Sequence, residues 1–227
     1  MATEQQIFIV KGLYNEWMKN CLDLIESSYG MNFQSESTSA HEITLNFVDD
    51  STASNIATAG YQYNTSTGKG YDLTLNVNLS KVENINTSDA SGDLEGNASP
   101  FDVTIAHELT HSVMLSKVLY YSKLPVFVRE GIAEITHGID DEKKEFFQDF
   151  INNRSTHKET ATSTDTNTHE INFAEWLKTN LDTEKTSDAI TQHYIAGYIF
   201  FRYLNKQASD NSKVGYADTD TTISGGD

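Results

Sequence analysis

Apolar and polar positions alternate in two different rhythms along this chain, and the rhythm changes near residue 100. Residues 12–29 (GLYNEWMKNCLDLIESSY) carry apolar side chains at helical spacing, and Gly30 follows as a stop signal. EITLNFV (42–48) and YDLTLNVNL (71–79) alternate with period two and are rich in β-branched residues, which predicts strands. AGYQYN (59–64) predicts a third, shorter strand, and the Asn/Asp/Ser/Gly-rich stretch 81–99 predicts a long loop. Beyond Pro100 the pattern turns helical. A helix is expected over 100–120, with Ser99 as cap, Pro100 in the first turn and Asp102 completing a capping-box-like pattern. A second is expected over 125–137, opened by Pro125 and closed by Gly138, and a third over 140–153. A Thr/Ser/Asp loop (155–168) and helices at 170–181 and 187–206 complete the ordered part.

Strands followed by helices imply an α+β class. The expected architecture is a small twisted sheet, mixed or antiparallel, with an N-terminal helix and a mostly helical C-terminal half. The pattern fits one domain over 1–207, strand-rich to about 117 and helical from about 118. From Ala208 the chain is polar and acidic, so 208–227 is expected to be a loose tail.

Composition narrows the partners. The formal net charge of −17 argues against nucleic acid and against anionic membrane surfaces. No apolar run approaches the length of a membrane span. The opening MATEQQIFIV lacks a basic segment followed by an apolar one, so no signal peptide is visible. Three readings fit: a chain that stays inside, one that leaves by another route, or a piece of a longer protein. Cys21 is the single cysteine, which excludes a disulfide framework and a cysteine-based zinc site. It falls on an apolar helical position and reads as a small buried residue.

The chemistry concentrates in TIAHELTHSVML (104–115). In a helix, residues four apart share a face, so His107 and His111 can turn an imidazole nitrogen toward one point. Glu108 lies one position further round, where it is placed to hold a water rather than to ligate. The five-residue pattern alone does not separate a zinc site from a chance occurrence. A catalytic zinc needs a third protein ligand and one open position. A third histidine in the extended H-E-x-x-H-x-x-G-x-x-H pattern is absent, because its glycine and histidine positions are Met114 and Lys117. A glutamate from the next helix remains. In LPVFVREGIAEITHGIDD (124–141), Glu130 follows His111 after eighteen intervening residues. Residues 118–124 suffice to reverse the chain and bring the second helix back past the first. Glu134, one turn on, is placed to accept the other ring N–H of His107, and His137 stands a further turn along. The neighbours Val126, Phe127, Ile132, Ala133 and Ile135 are apolar, so these glutamates sit on a largely buried helix that a dication would neutralise.

HELTH (107–111) with the glutamate of REGIAE (129–134) resembles the gluzincin metallopeptidases, with the aminopeptidase-type spacing. That resemblance implies a zincin-like fold and zinc held by His107, His111 and Glu130. It further assigns Tyr194, which precedes Gly197 in HYIAGYIFFRYL (193–204), to the oxyanion. Tyr198, on the same face, and His193 are the competitors for that role. Arg129 stands where the type often has an asparagine, so whatever orients His111 must come from elsewhere. No G-A-M-E-N stretch for a free substrate amine is present, which favours an endopeptidase. EGIAEITHGIDD joined to YIAGYIFFRYL more closely resembles the flagellinolysins, protease domains inserted in the surface-exposed part of some bacterial flagellins. The likeness covers about residues 10–207, but the flagellin end helices are not recognised in the chain. It implies an extracellular location on the flagellar filament, reached through flagellar export as part of a longer parent.

The expected chemistry is peptide hydrolysis, with Glu108 as general base and then acid. Substrate is expected to add as an extended strand along a sheet edge, with 71–78 the candidate edge. A non-catalytic zinc-binding surface or adhesion module, an intracellular zinc-binding regulator and a gluzincin acting on a non-protein substrate are the alternatives. DASGDLEGN (89–97) and the tail ADTDTTISGGD offer oxygens to Ca2+, but neither has the spacing of a known calcium loop, so both read as acidic loops. His157 and His169 read as exposed polar residues.

Overall fold

The computed structural model describes residues 2–32, 42–94, 100–138, 158–159, 169–170 and 190–212. Its first helical run begins at Glu4, well before the position the periodicity marked. Thr3 caps it: its hydroxyl accepts from the Gln6 N–H at 3.2 Å, and the Gln6 side chain accepts the Thr3 N–H at 2.9 Å. The T-x-x-Q signal of a capping box was thus present in the sequence. Helix α1 (Glu4–Gly12) passes through a π-helical turn, Leu13–Trp17, into α2 (Met18–Tyr29). Gly30, left-handed at φ 65°, ends the run as expected. Trp17 is buried, stacks edge-on against Phe8 and Phe101, and donates its Nε1–H to Ala90 O at 2.9 Å. Gly12 leaves room for that indole, since a Cβ there would stand 2.6 Å from it.

All three expected strands are present as β1 (Ile43–Val48), β2 (Ala57–Asn64) and β3 (Lys69–Asn78). The sheet order is β1-β3-β2, with β1 parallel and β2 antiparallel to β3. One expectation is overturned here. β3 is the central strand, paired on both sides, so residues 71–78 cannot receive a substrate strand. The edges of this sheet, among the described residues, are β1 and β2. Leu73, Leu75 and Val77 of β3 alternate into the core, and α3 (Phe101–Lys117) packs across β2, β3 and α2.

The entry to α3 also differs from the expectation. Pro100 occupies the cap position and no side chain caps the helix; Ser99 lies outside the described residues. Instead, loop carbonyls do that work: Phe101 N–H donates to Gly92 O and Asp102 N–H to Ser91 O, each at 3.1 Å. The helix stops at Lys117 rather than 120, because Val118 is extended and Tyr120 left-handed at φ 58°.

Helix α4 (Val126–His137) matches its expected span, with Gly138 at φ 86° behind it. Two two-residue strands, β4 (Lys158–Glu159) and β5 (His169–Glu170), pair antiparallel where a plain loop and a helix start were expected. Helix α5 (Ile190–Ser212) runs past Ala208, so the expected tail loses its first residues to a helix. The helix expected at 140–153, and residues 171–181 of the one expected at 170–181, lie outside the described residues. The result is an α+β protein with a three-stranded mixed sheet.

Two compact units emerge from the chain's contacts. One holds Met1–Leu124 and Thr136–Gly138, with the sheet, α1, α2 and α3. The other holds Pro125–Ile135 and the described residues beyond 138, with α5. In the second unit, α4 and α5 meet backbone to backbone. A Cβ on Gly197 would stand 2.1 Å from Phe127 O, and one on Gly131 would stand 2.6 Å from the Gly197 backbone. Phe127 and Phe200 close the crossing edge to face, 5.7 Å between centroids.

Candidate metal centre

Helix α3 is almost enclosed: Ile105, Ala106, Leu109, Thr110, Val113 and Met114 are all buried. The half-buried exceptions in its middle turns are His107, Glu108 and His111. The two imidazoles face each other edge to face, with Nε2 to Nε2 at 3.1 Å. Two ligands of one tetrahedral zinc, each about 2.0–2.1 Å from it, stand about 3.3 Å apart. The pair is therefore spaced as one edge of such a site. His107, His111 and Glu130 together bring one ligand atom each to within 4.8 Å of one another. This is the set expected from the sequence, and its two-nitrogen, one-carboxylate chemistry suits zinc. His107, Glu134 and His137 form a second group within the same limit. Both glutamates are buried, Glu130 at 8% exposure and Glu134 at 1%.

An imidazole that ligates through Nε2 carries its proton on Nδ1 and needs an acceptor there. For His107 that nitrogen lies 3.1 Å from His137 Nε2. His137 thus sits beside His107, in the same group as Glu134. Its neighbour Thr136 is tied to α2 by a 2.8 Å hydrogen bond with the Tyr29 hydroxyl. Burial pushes the Tyr29 phenol up to about 12, with the Thr136 bond pulling the other way, so the hydroxyl stays protonated. For His111, Nδ1 lies 3.0 Å from the hydroxyl of Tyr121, a fully buried residue. The sequence alone assigns no partner to His111. Tyr121 sits in the short connection 118–124, where no periodicity singles it out from Tyr120.

Glu108 belongs to neither ligand group. Its Oε2 accepts the N–H of Ala59 on β2 at 2.6 Å, which fixes the carboxylate against an edge strand. The remaining candidates lie on α5. His193 is buried, and Tyr194 and Tyr198 are half-buried, with the Arg202 guanidinium over the Tyr198 ring at 5.9 Å. Gly197 of the Y-x-x-G pattern has a structural reason to be glycine, because it is the point where α5 touches α4.

Two further residues behave as buried groups. Burial, with Asp102 nearby, pushes the Cys21 thiol up to about 12, which leaves it protonated and unsuited to nucleophilic work. Asp102 itself is raised to about 6 by burial, with Asp89 and Asp93 adding to it. In the acidic loop, Asp89 accepts the Ser91 N–H and Ser91 donates to Asp93, so both carboxylates serve the local turn. Residues 95–97 of that loop, the tail 217–227 and His157 lie outside the described residues, as does the side chain of His169. No helix among the described residues is long and apolar enough to cross a membrane. In comparisons with known proteins, the chain matches no family model, no curated protein and no solved structure.

Proposed function

We propose that this protein is a zinc-dependent endopeptidase. The observation that carries the reading is the 3.1 Å Nε2–Nε2 pair of His107 and His111, with Glu130 inside the same ligand group. When bound, zinc supplies Lewis acidity, polarising the scissile carbonyl and easing deprotonation of the attacking water. His107, His111 and Glu130 hold the metal. Glu108, kept off the metal and steadied by the Ala59 N–H, takes a proton from the water as its oxygen adds to the carbonyl carbon. The same carboxyl then gives that proton to the amine as the C–N bond breaks. Tyr194 donates a hydrogen bond to the oxyanion, a role that rests on the resemblance to gluzincins. Since β3 is central, the strand offered to an extended peptide is β2, which carries Ala59 beside Glu108. The likeness to flagellinolysins extends the proposal to an extracellular protease carried on a flagellar filament within a longer parent chain.

Incubation with unfolded casein, with and without a chelator, tests this. Wild type is expected to cut internal bonds, and both chelation and Glu108→Ala are expected to stop it, the substitution by about 10²–10⁴-fold in kcat/KM. Glu108→Ala should still bind zinc. Zinc bound without cleavage of any peptide would favour a non-catalytic binding module or a non-protein substrate. No zinc after metal add-back would end the reading.

A further inference from the structure

We propose that Tyr121 is the positioning residue for His111: its buried hydroxyl accepts the Nδ1 proton and thereby turns Nε2 toward the metal. The proposal rests on the zinc reading above. The hydroxyl lies 3.0 Å from His111 Nδ1, and the Tyr121 side chain is 2% exposed. With Nε2 on the metal the proton stands on Nδ1, and the phenol oxygen accepts it as a carboxylate would, yet adds no negative charge to a centre that already contains two buried glutamates.

The chain is arranged to hold that hydroxyl still. After α3 ends, Val118 is extended and Tyr120 takes a left-handed conformation, which a non-glycine side chain disfavours. The β2–β3 turn compensates. Tyr120 N–H donates to Gly68 O at 2.7 Å, and the Tyr120 ring lies against Gly68, where a Cβ would stand 3.1 Å from it. Gly68 is itself left-handed at φ 67°. From Tyr120 the chain enters a 3-10 turn, Tyr121–Lys123, closed by Lys123 N–H to Tyr120 O at 2.8 Å and Leu124 N–H to Tyr121 O at 3.0 Å. The Lys123 ammonium sits 5.8 Å above the Tyr63 ring on β2. The tip of the β2–β3 hairpin therefore fixes the backbone from which Tyr121 reaches His111.

The test uses the full chain as wild type, Tyr121→Phe and Gly68→Ala. Zinc affinity is read by competition with a fluorescent chelator, geometry by the visible spectrum of the cobalt-substituted protein, and folding by the Tm of the metal-free form. Tyr121→Phe is expected to weaken zinc binding by about 10–100-fold and to shift the cobalt bands, while the metal-free protein remains folded. Gly68→Ala keeps the hydroxyl but disturbs its mounting, so it should weaken zinc in the same direction by less. Should Tyr121→Phe fail to fold, Gly68→Ala reads the same coupling. Wild-type affinity and an unchanged cobalt spectrum in both variants would overturn the proposal while leaving the zinc reading intact. A wild type that binds no zinc would overturn both.

Discussion

Helices α3 and α4 both carry expected metal ligands, yet they are held by opposite means. α3 is surrounded by side chains: Phe101, Ile105, Leu109 and Val113 are fully buried, and the contact is made of exchangeable hydrocarbon. α4 meets α5 through backbone at Gly131 and Gly197, and it buries two carboxylates, Glu130 and Glu134. The first arrangement depends on volume and tolerates reshaping. The second depends on single atoms and on charge, so it should be brittle to an added methyl and sensitive to loss of a cation.

Metal removal is the widest separation of the two. A ligand held at about a thousand times its Kd stabilises the folded state by about 4 kcal/mol, and chelation should remove that amount. Most of the effect should vanish in Glu130→Gln, because the amide is a poor zinc ligand and no longer needs a counter-charge. Thermal unfolding with and without chelator reads both arms. Equal Tm values for wild type in the two conditions would show that the buried carboxylates are satisfied without a metal.

Gly197→Ala comes next. Its Cβ would meet Phe127 O at 2.1 Å, and neither backbone can yield without moving a helix. A loss of about 3 kcal/mol is expected. Leu109→Met, at a fully buried site on α3, changes shape at nearly constant volume and should cost under about 1.5 kcal/mol. Urea titrations of the two variants check the ordering. If the methionine does more damage than the single methyl, the contrast between the helices is wrong.

The same contrast explains which features are legible in the sequence. Features set by period and punctuation were legible: the three strands, the stops at Gly30 and Gly138, the span of α4, and the four-residue spacing of His107 and His111. The grouping of Glu130 with the two histidines was legible because a chain that supplies a third group from the next helix must return at a definite distance. The neighbour of each strand was not. Alternation marks β3 as a strand but says nothing of whether one or two strands flank it, and a parallel β1 beside it leaves β2 at the edge. Tyr121 was hidden for a related reason. Its role depends on a left-handed Tyr120 and on a hairpin tip some fifty residues earlier, at Gly68. The start of α1 was different, since Thr3 and Gln6 carried a capping box that apolar spacing alone overlooks.

The smallest effect concerns the first turn of α3, where a carboxyl lies among side chains and outside both His/Glu groups. Burial raises Asp102 to about 6, against about 3.8 for an ordinary aspartate, with Asp89 and Asp93 pushing the same way. The folded state therefore holds its proton more tightly than the unfolded chain does. The resulting stability is fully present below about pH 4 and is lost as pH rises through about 6. Asp102→Asn removes this dependence. At pH 7 the variant should gain about 1 kcal/mol, because solvent reaches part of the side chain and because the ionised aspartate interacts favourably with the helix N-terminus. Unfolding of the metal-free proteins at pH 4 and pH 7 isolates the term, since the groups that the two proteins share cancel in the difference between them. Wild type should fall relative to the variant on going from pH 4 to 7. A constant difference across that range would mean that Asp102 ionises as freely as in the unfolded chain, and that the entry to α3 is more open to water than the burial of Phe101 and Trp17 beside it implies.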